Sequence, residues 1–117
     1  MNLIPYHLLC KQKVTVYRLV DGAPVRQVVD GVFFEWQTTK TVDKLGQKQE
    51  RTFLLIIPGA DQTVYPGDKI YQREGPELTE RNAWSAFIPS EVPGLVVAKA
   101  CDPITWQGKI LHWEVTG

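Results

Sequence analysis

At 117 residues, with 44% hydrophobic and 22% charged side chains, the chain is composed as one globular domain spanning 1–117. Its 13 basic and 13 acidic side chains cancel, which argues against a protein that grips nucleic acid through net charge but not against a local basic patch. No apolar stretch approaches the roughly 20 residues of a membrane span.

The first ten residues, Met1 to Cys10, are mildly apolar, lack a basic lead and are interrupted by Pro5. They do not read as a signal peptide, so a cytosolic origin is expected, with a turn near Pro5 to Leu9. In that setting Cys10 and Cys101 read as buried thiols rather than a disulfide. Lys13 to Val20 alternates apolar and polar residues, many of them β-branched, and predicts a strand. Asp21-Gly22-Ala23-Pro24 turns it into a second strand from Val25 to Thr38. Gly31 in that run predicts a bulge or sharp bend.

The next stretch, from Thr38 to Glu50, is polar with only two aliphatic residues and reads as one overlong loop. Lys40, Lys44, Lys48 and Arg51 recur along it at intervals of three or four. They form either a solvated mobile loop or a basic finger facing nucleic acid, diluted by Asp43 and Glu50. Arg51 to Ile57 is nearly continuous in apolar residues and predicts a central strand buried on both faces.

Pro66-Gly67-Asp68 opens a short strand, Lys69 to Gln72, which Glu74-Gly75-Pro76-Glu77 closes. Thr79 to Phe87 offers a threonine cap and helical spacing for one or two turns, ended by Pro89 and Pro93. The last two strands are Leu95 to Ala100 and Ile110 to Val115, with Asp102 to Gly108 as their connecting loop. The fold expected is all-β: a small barrel of about six strands, one long inter-strand loop and at most one short helix. Phe53, Leu55, Ile57 and Trp113 are its predicted core.

Chemistry is thinly signalled. His7 and His112 are the only histidines, and His112 beside Trp113 reads as a packed strand residue. Nucleophile elbows, metalloprotease helices, phosphate-cradling loops and Cys-x-x-Cys pairs are all absent from the sequence. A zinc site would need Cys10, Cys101, His7 and His112 from opposite ends of the chain, without the usual local spacing. Asp68 reads as a turn residue bonding backbone amides as the strand begins. No catalytic residue, metal site or cofactor is therefore expected. Trp36 and Trp113 read as core residues or cross-strand partners, whereas Trp84 and Trp106 fall in polar surroundings and are candidate anchors of a protein contact.

Three segments together resemble a known group. They are the Val14-Thr15-Val16-Tyr17 strand, the Gly67-Asp68 turn before a short strand, and the ending Leu111-His112-Trp113-Glu114-Val115-Thr116-Gly117. The chain resembles small structural proteins of tailed phages from Gram-positive hosts that end in a His-Trp-x-Val strand. More loosely, it is similar to the head–tail connector stoppers of long-tailed phages. In the first group the loop before the last strand carries paired arginines, and here Asp102 to Gly108 keeps only the Asp and Gly.

The resemblance covers nearly the whole chain. It implies a β-barrel subunit of a homo-oligomeric ring that joins the portal or adaptor to tail proteins, in the virion neck after a stay in the host cytoplasm. It also implies that Thr38, Lys40, Lys44, Lys48 and Arg51 belong to a channel loop that helps retain packaged DNA. The rival expectation is a monomeric barrel that grips a protein or peptide through Trp84 or Trp106.

Overall fold

The computed structural model describes residues 10–43, 46–78 and 81–117, with the backbone alone at 39–43, 47–50 and 81–82. Strands dominate. In chain order they are β1 (Gln12–Val20), β2 (Ala23–Asp43), β3 (Gly46–Pro58), β4 (Lys69–Tyr71), β5 (Leu95–Val97), β6 (Ala100–Trp106) and β7 (Lys109–Thr116). One short helix, α1 (Arg81–Ala86), lies between β4 and β5. It falls inside the predicted 79–87 segment, although Thr79 itself lies outside the described residues, as does the turn expected at 5–9.

All pairings are antiparallel, in the order β5-β4-β1-β2-β3-β7-β6. The two ends of this sheet are neighbours in sequence, because only Ala98 and Lys99 separate β5 from β6. Ala98 donates its N–H to the carbonyl of Asp68 beside β4, and Lys99 donates to that of Thr116 in β7. The chain thus steps from one end of the sheet to the other in two residues and curls it into a barrel-like shape. With β5 and β6 taken as one bent strand, the seven strands reduce to the six expected.

Gly31 is where β2 changes partner. It takes φ 72°, and the register slips there, so that Gln12 faces Val32 while Lys13 faces Asp30. The predicted bulge is in place. Up to Val32 β2 pairs with β1, and from Phe33 onward with β3. This redirects the second half of β2 away from β1.

Alternate residues of each strand meet inside: Val14 and Val16, Val32 and Phe34, Phe53, Leu55 and Ile57, with Ile70, Val96 and Val115. β3 corrects the sequence expectation. Phe53, Leu55 and Ile57 are buried, but Leu54 and Ile56 are only half-buried on the outer face, so one face of the strand is core and the other is not. Trp113 is likewise half-buried, donating its indole N–H to the carbonyl of Ala60 at 3.0 Å. The expected loop at 102–108 is also mostly strand, since β6 runs to Trp106 and only Gln107 and Gly108 turn. Pro103 is tolerated because β6 pairs on one side only.

β1 is buried on both faces, with Val14 and Val16 on one side and Thr15 and Tyr17 on the other. On its outer side Tyr17 packs with Phe87 and Leu95 beneath the chain between β4 and β5, the Tyr17 and Phe87 rings 4.7 Å apart. Thr15 donates its hydroxyl to the carbonyl of Arg73 and accepts from the N–H of Gly75. Lys69 donates two hydrogen bonds of 2.7 Å, to the carbonyls of Trp84 and Phe87, satisfying the end of α1. Burial pushes the Lys69 pKa down. Asp68 is structural, as expected: its carboxylate accepts from the Tyr65 N–H and pairs with Arg18.

Tyr17 supports a pH prediction. Its hydroxyl donates to the carbonyl of Pro76 at 2.6 Å, and a Cβ on Gly75 would collide with that oxygen. Tyr17→Phe should cost about 1–2 kcal/mol at neutral pH, the usual result of orphaning a buried acceptor. Burial raises the Tyr17 pKa above its ordinary value, partly offset by Arg26. The unfolded phenol therefore ionises first. The stabilisation is complete below about pH 10 and is lost as pH rises towards the raised native value. Denaturant melts of the two proteins should converge above pH 10, and a gap that stays constant or widens there contradicts the burial.

No helix among the described residues is long and apolar enough to cross a membrane, which leaves open crossing by strands.

Candidate functional site

The stretch expected to be a loop is a β-ribbon. β2 continues to Asp43 and β3 begins at Gly46, paired residue by residue from Phe33 opposite Ile56 to Asp43 opposite Gly46. Thr38, Thr39, Thr41 and Val42 are β-branched and suit an extended backbone. The segment is polar because the barrel does not cover it. β7 pairs with β3 only from Leu54 onward, so residues 37–43 and 46–52 pair with each other alone. At roughly 3.3 Å per residue the arm extends about 20 Å from Gln37 to Asp43. A radius of gyration of 15.9 Å fits such a projection, since a compact chain of this length would have about 13 Å.

Aromatic packing fixes the arm's base. Phe34 stacks on Phe53 at 5.5 Å and meets Trp36 edge-on at 5.3 Å. The Arg51 guanidinium lies 3.8 Å over the Trp36 ring, a contact worth about 0.5–1 kcal/mol at an exposed site. Trp36 donates its indole N–H to Gln72 at 3.3 Å, and Gln12, the first residue of β1, accepts from the Phe34 N–H at 2.7 Å. The arm therefore leaves the barrel in a defined direction.

Register divides the candidate channel residues. Thr38 stands opposite Arg51 and Lys40 opposite Gln49, on the ribbon face that carries Trp36. Lys48 stands opposite Thr41, on the other face. Lys44 lies outside the described residues. The cations expected to form one finger are thus split between two faces.

The two candidate anchors also part. Trp84 is half-buried, with its ring 4.1 Å from the Lys69 ammonium and its carbonyl bonded to that group, so it serves the protein's own packing. Trp106 is 46% exposed at the β6–β7 turn and is free to meet a partner.

Beside the arm's base lies a groove of about 1020 Å³, open to solvent. Trp36, Tyr71, Leu95 and Val97 give it apolar walls, and Arg51, Arg73 and Lys99 give it positive charge. No carboxylate side chain lines it, and among the described residues none of these three cations is ion-paired. Sequence pattern singles out Arg51 but passes over Arg73 and Lys99, and it reads Trp36 only as a core residue or cross-strand partner. Four distant segments supply these residues, so no local spacing announces the groove.

Cys10 is buried and Cys101 half-buried, and both are free thiols whose pKa burial raises, which disfavours the nucleophilic thiolate. His112 lies 3.3 Å from the Glu114 carboxylate. His7 lies outside the described residues. Among the described residues no three His, Cys, Asp or Glu side chains cluster as metal ligands. What the site offers is a stiff projecting ribbon and, at its base, cations and aromatic faces suited to an anionic surface. No family model, curated protein or solved structure matches the chain.

Proposed function

We propose that the protein is a structural subunit of a tailed-phage head–tail connector ring, acting as the stopper between portal or adaptor and tail. The observation that carries this reading is the β2–β3 arm, a long ribbon rooted in a small barrel by stacked aromatics. A barrel that packs beside copies of itself can hold a ring, while an arm from each copy reaches the lumen and narrows it. A ribbon suits this work better than a structureless loop, because its direction is set at the root. The balanced charge of the chain suits a lumen that must retain DNA and later release it.

The second reading is a monomeric binding barrel, which the exposure of Trp106 favours. The two readings differ in assembly. Negative-stain imaging of the concentrated chain should show closed rings, and a uniform population of single barrels would favour the binding module instead.

A further inference from the structure

Two surfaces of opposite charge lie on opposite faces of the same sheet. On the inner face of the β2–β3 ribbon is the groove with Arg51, Arg73 and Lys99. The outer face of β2, β3, β7 and β6 carries Glu35, Glu114 and Asp102 around half-buried Leu54, Ile56 and Ile104. Glu114 and Asp102 stand directly opposite each other across β7 and β6. Like charges so placed repel across about 5 Å, a destabilising arrangement unless a cation approaches. His112 touches Glu114, but among the described residues no lysine or arginine is ion-paired with Glu35, Asp102 or Glu114.

We infer that the acidic outer face of one copy docks on the cationic groove of the next, making the head-to-tail contact by which this chain self-assembles. The complementarity is specific to a second copy in two respects. Among the described residues, one surface presents carboxylates that no lysine or arginine pairs with and the other presents cations that no carboxylate pairs with, within a molecule of zero net charge. The two surfaces also point away from each other across one ribbon, so a chain cannot satisfy both by itself. A contact between two different patches repeats from copy to copy and closes into a ring when the rotation allows. The apolar residues at the centre of the outer face would be covered in the same step, with charges at the rim steering the encounter.

This inference rests on the ring reading and specifies its interface. Sedimentation equilibrium of the full-length chain at low and high salt tests it, with melting curves checking that each variant folds. Wild-type protein should associate, more weakly as salt rises. Arg73→Glu with Lys99→Glu should weaken association at least tenfold, and so should Asp102→Lys with Glu114→Lys. All four changes in one chain should restore it, because the charges then match again. Wild-type association that neither pair affects, or a fourfold variant that stays dissociated, overturns this interface while leaving the ring reading standing. A wild-type chain that remains monomeric at every salt concentration overturns both. If the groove instead serves a foreign polyanion, reversing it leaves self-association unchanged, and the inference fails on that result as well.

Discussion

Phe53→Ala should lower the stability of the chain by about 3–5 kcal/mol, the range for truncating a large aromatic in a packed core. Phe53 is 2% exposed. It stacks on Phe34 and belongs to the same buried cluster as Leu55 and Val115. Collapse around the cavity is restricted, because β2 pairs with β3 at Phe53 and β7 pairs with it from Leu54 onward, which holds the strand spacing. The loss would be a large share of what a domain of this size has in total, so the variant is expected to melt many degrees lower and to populate unfolded chains at physiological temperature. Denaturant titration of the two proteins measures the difference. An unchanged midpoint would remove Phe53 from the core. Since Phe53 also sits where the arm begins, the variant should loosen the arm's root as well as the barrel.

β1 was legible because apolar and polar residues alternate from Lys13 to Val20, and β3 because Arg51 to Ile57 is nearly continuous in apolar residues. That continuity hid which face of β3 is core, since Leu54 and Ile56 are as apolar as Phe53, Leu55 and Ile57. Gly31 marked its bulge because a positive φ is easy only for glycine. The arm escaped notice for the converse reason. A ribbon paired only with itself buries neither face, so Thr38 to Glu50 is polar throughout and loses the alternation that identifies strands. Its remaining signal was the run of β-branched residues, Thr38, Thr39, Thr41 and Val42, ahead of Gly46. β6 escaped for a related reason: Asp102 and Pro103 look like loop residues, yet an edge strand accommodates both.

The candidate site was legible only in part. Arg51 stood out as one of a row of cations, but the row assumed a loop, and strand register sends Lys40 and Lys48 to opposite faces. Arg73, Lys99 and Trp36 gave no common signal, because only the curling of the sheet brings them to one groove. Trp84 and Trp106 looked alike in sequence, each an aromatic among polar neighbours. Lys69 separates them: it needs acceptors for a buried ammonium, finds the carbonyls of Trp84 and Phe87, and draws Trp84 over itself.

On the proposed connector role, removing the arm should abolish DNA retention while sparing the fold. Gln37 and Thr52 face each other across the ribbon, so excising 38–51 and joining them with Asn-Gly leaves a tight hairpin of the favoured kind. The excised backbone pairs only with itself, and the barrel gives up chiefly the stacking of the Arg51 guanidinium on Trp36. Stability should therefore change by less than about 1 kcal/mol. Ring assembly should persist, because the groove keeps Arg73 and Lys99 and the acidic face keeps Glu35, Asp102 and Glu114. What the shortened ring would lack is anything reaching into its lumen.

If the proposed role holds, the chain works in a tailed-phage particle, and electron cryomicroscopy of such particles, with the intact or the arm-less chain as the only source, tests it directly. With the intact chain, heads should be full of DNA and joined to tails. With the arm-less chain, heads should be largely empty although the neck ring is present. Full heads and normal tail attachment without the arm would contradict the account, and the ribbon would then have no part in holding the genome.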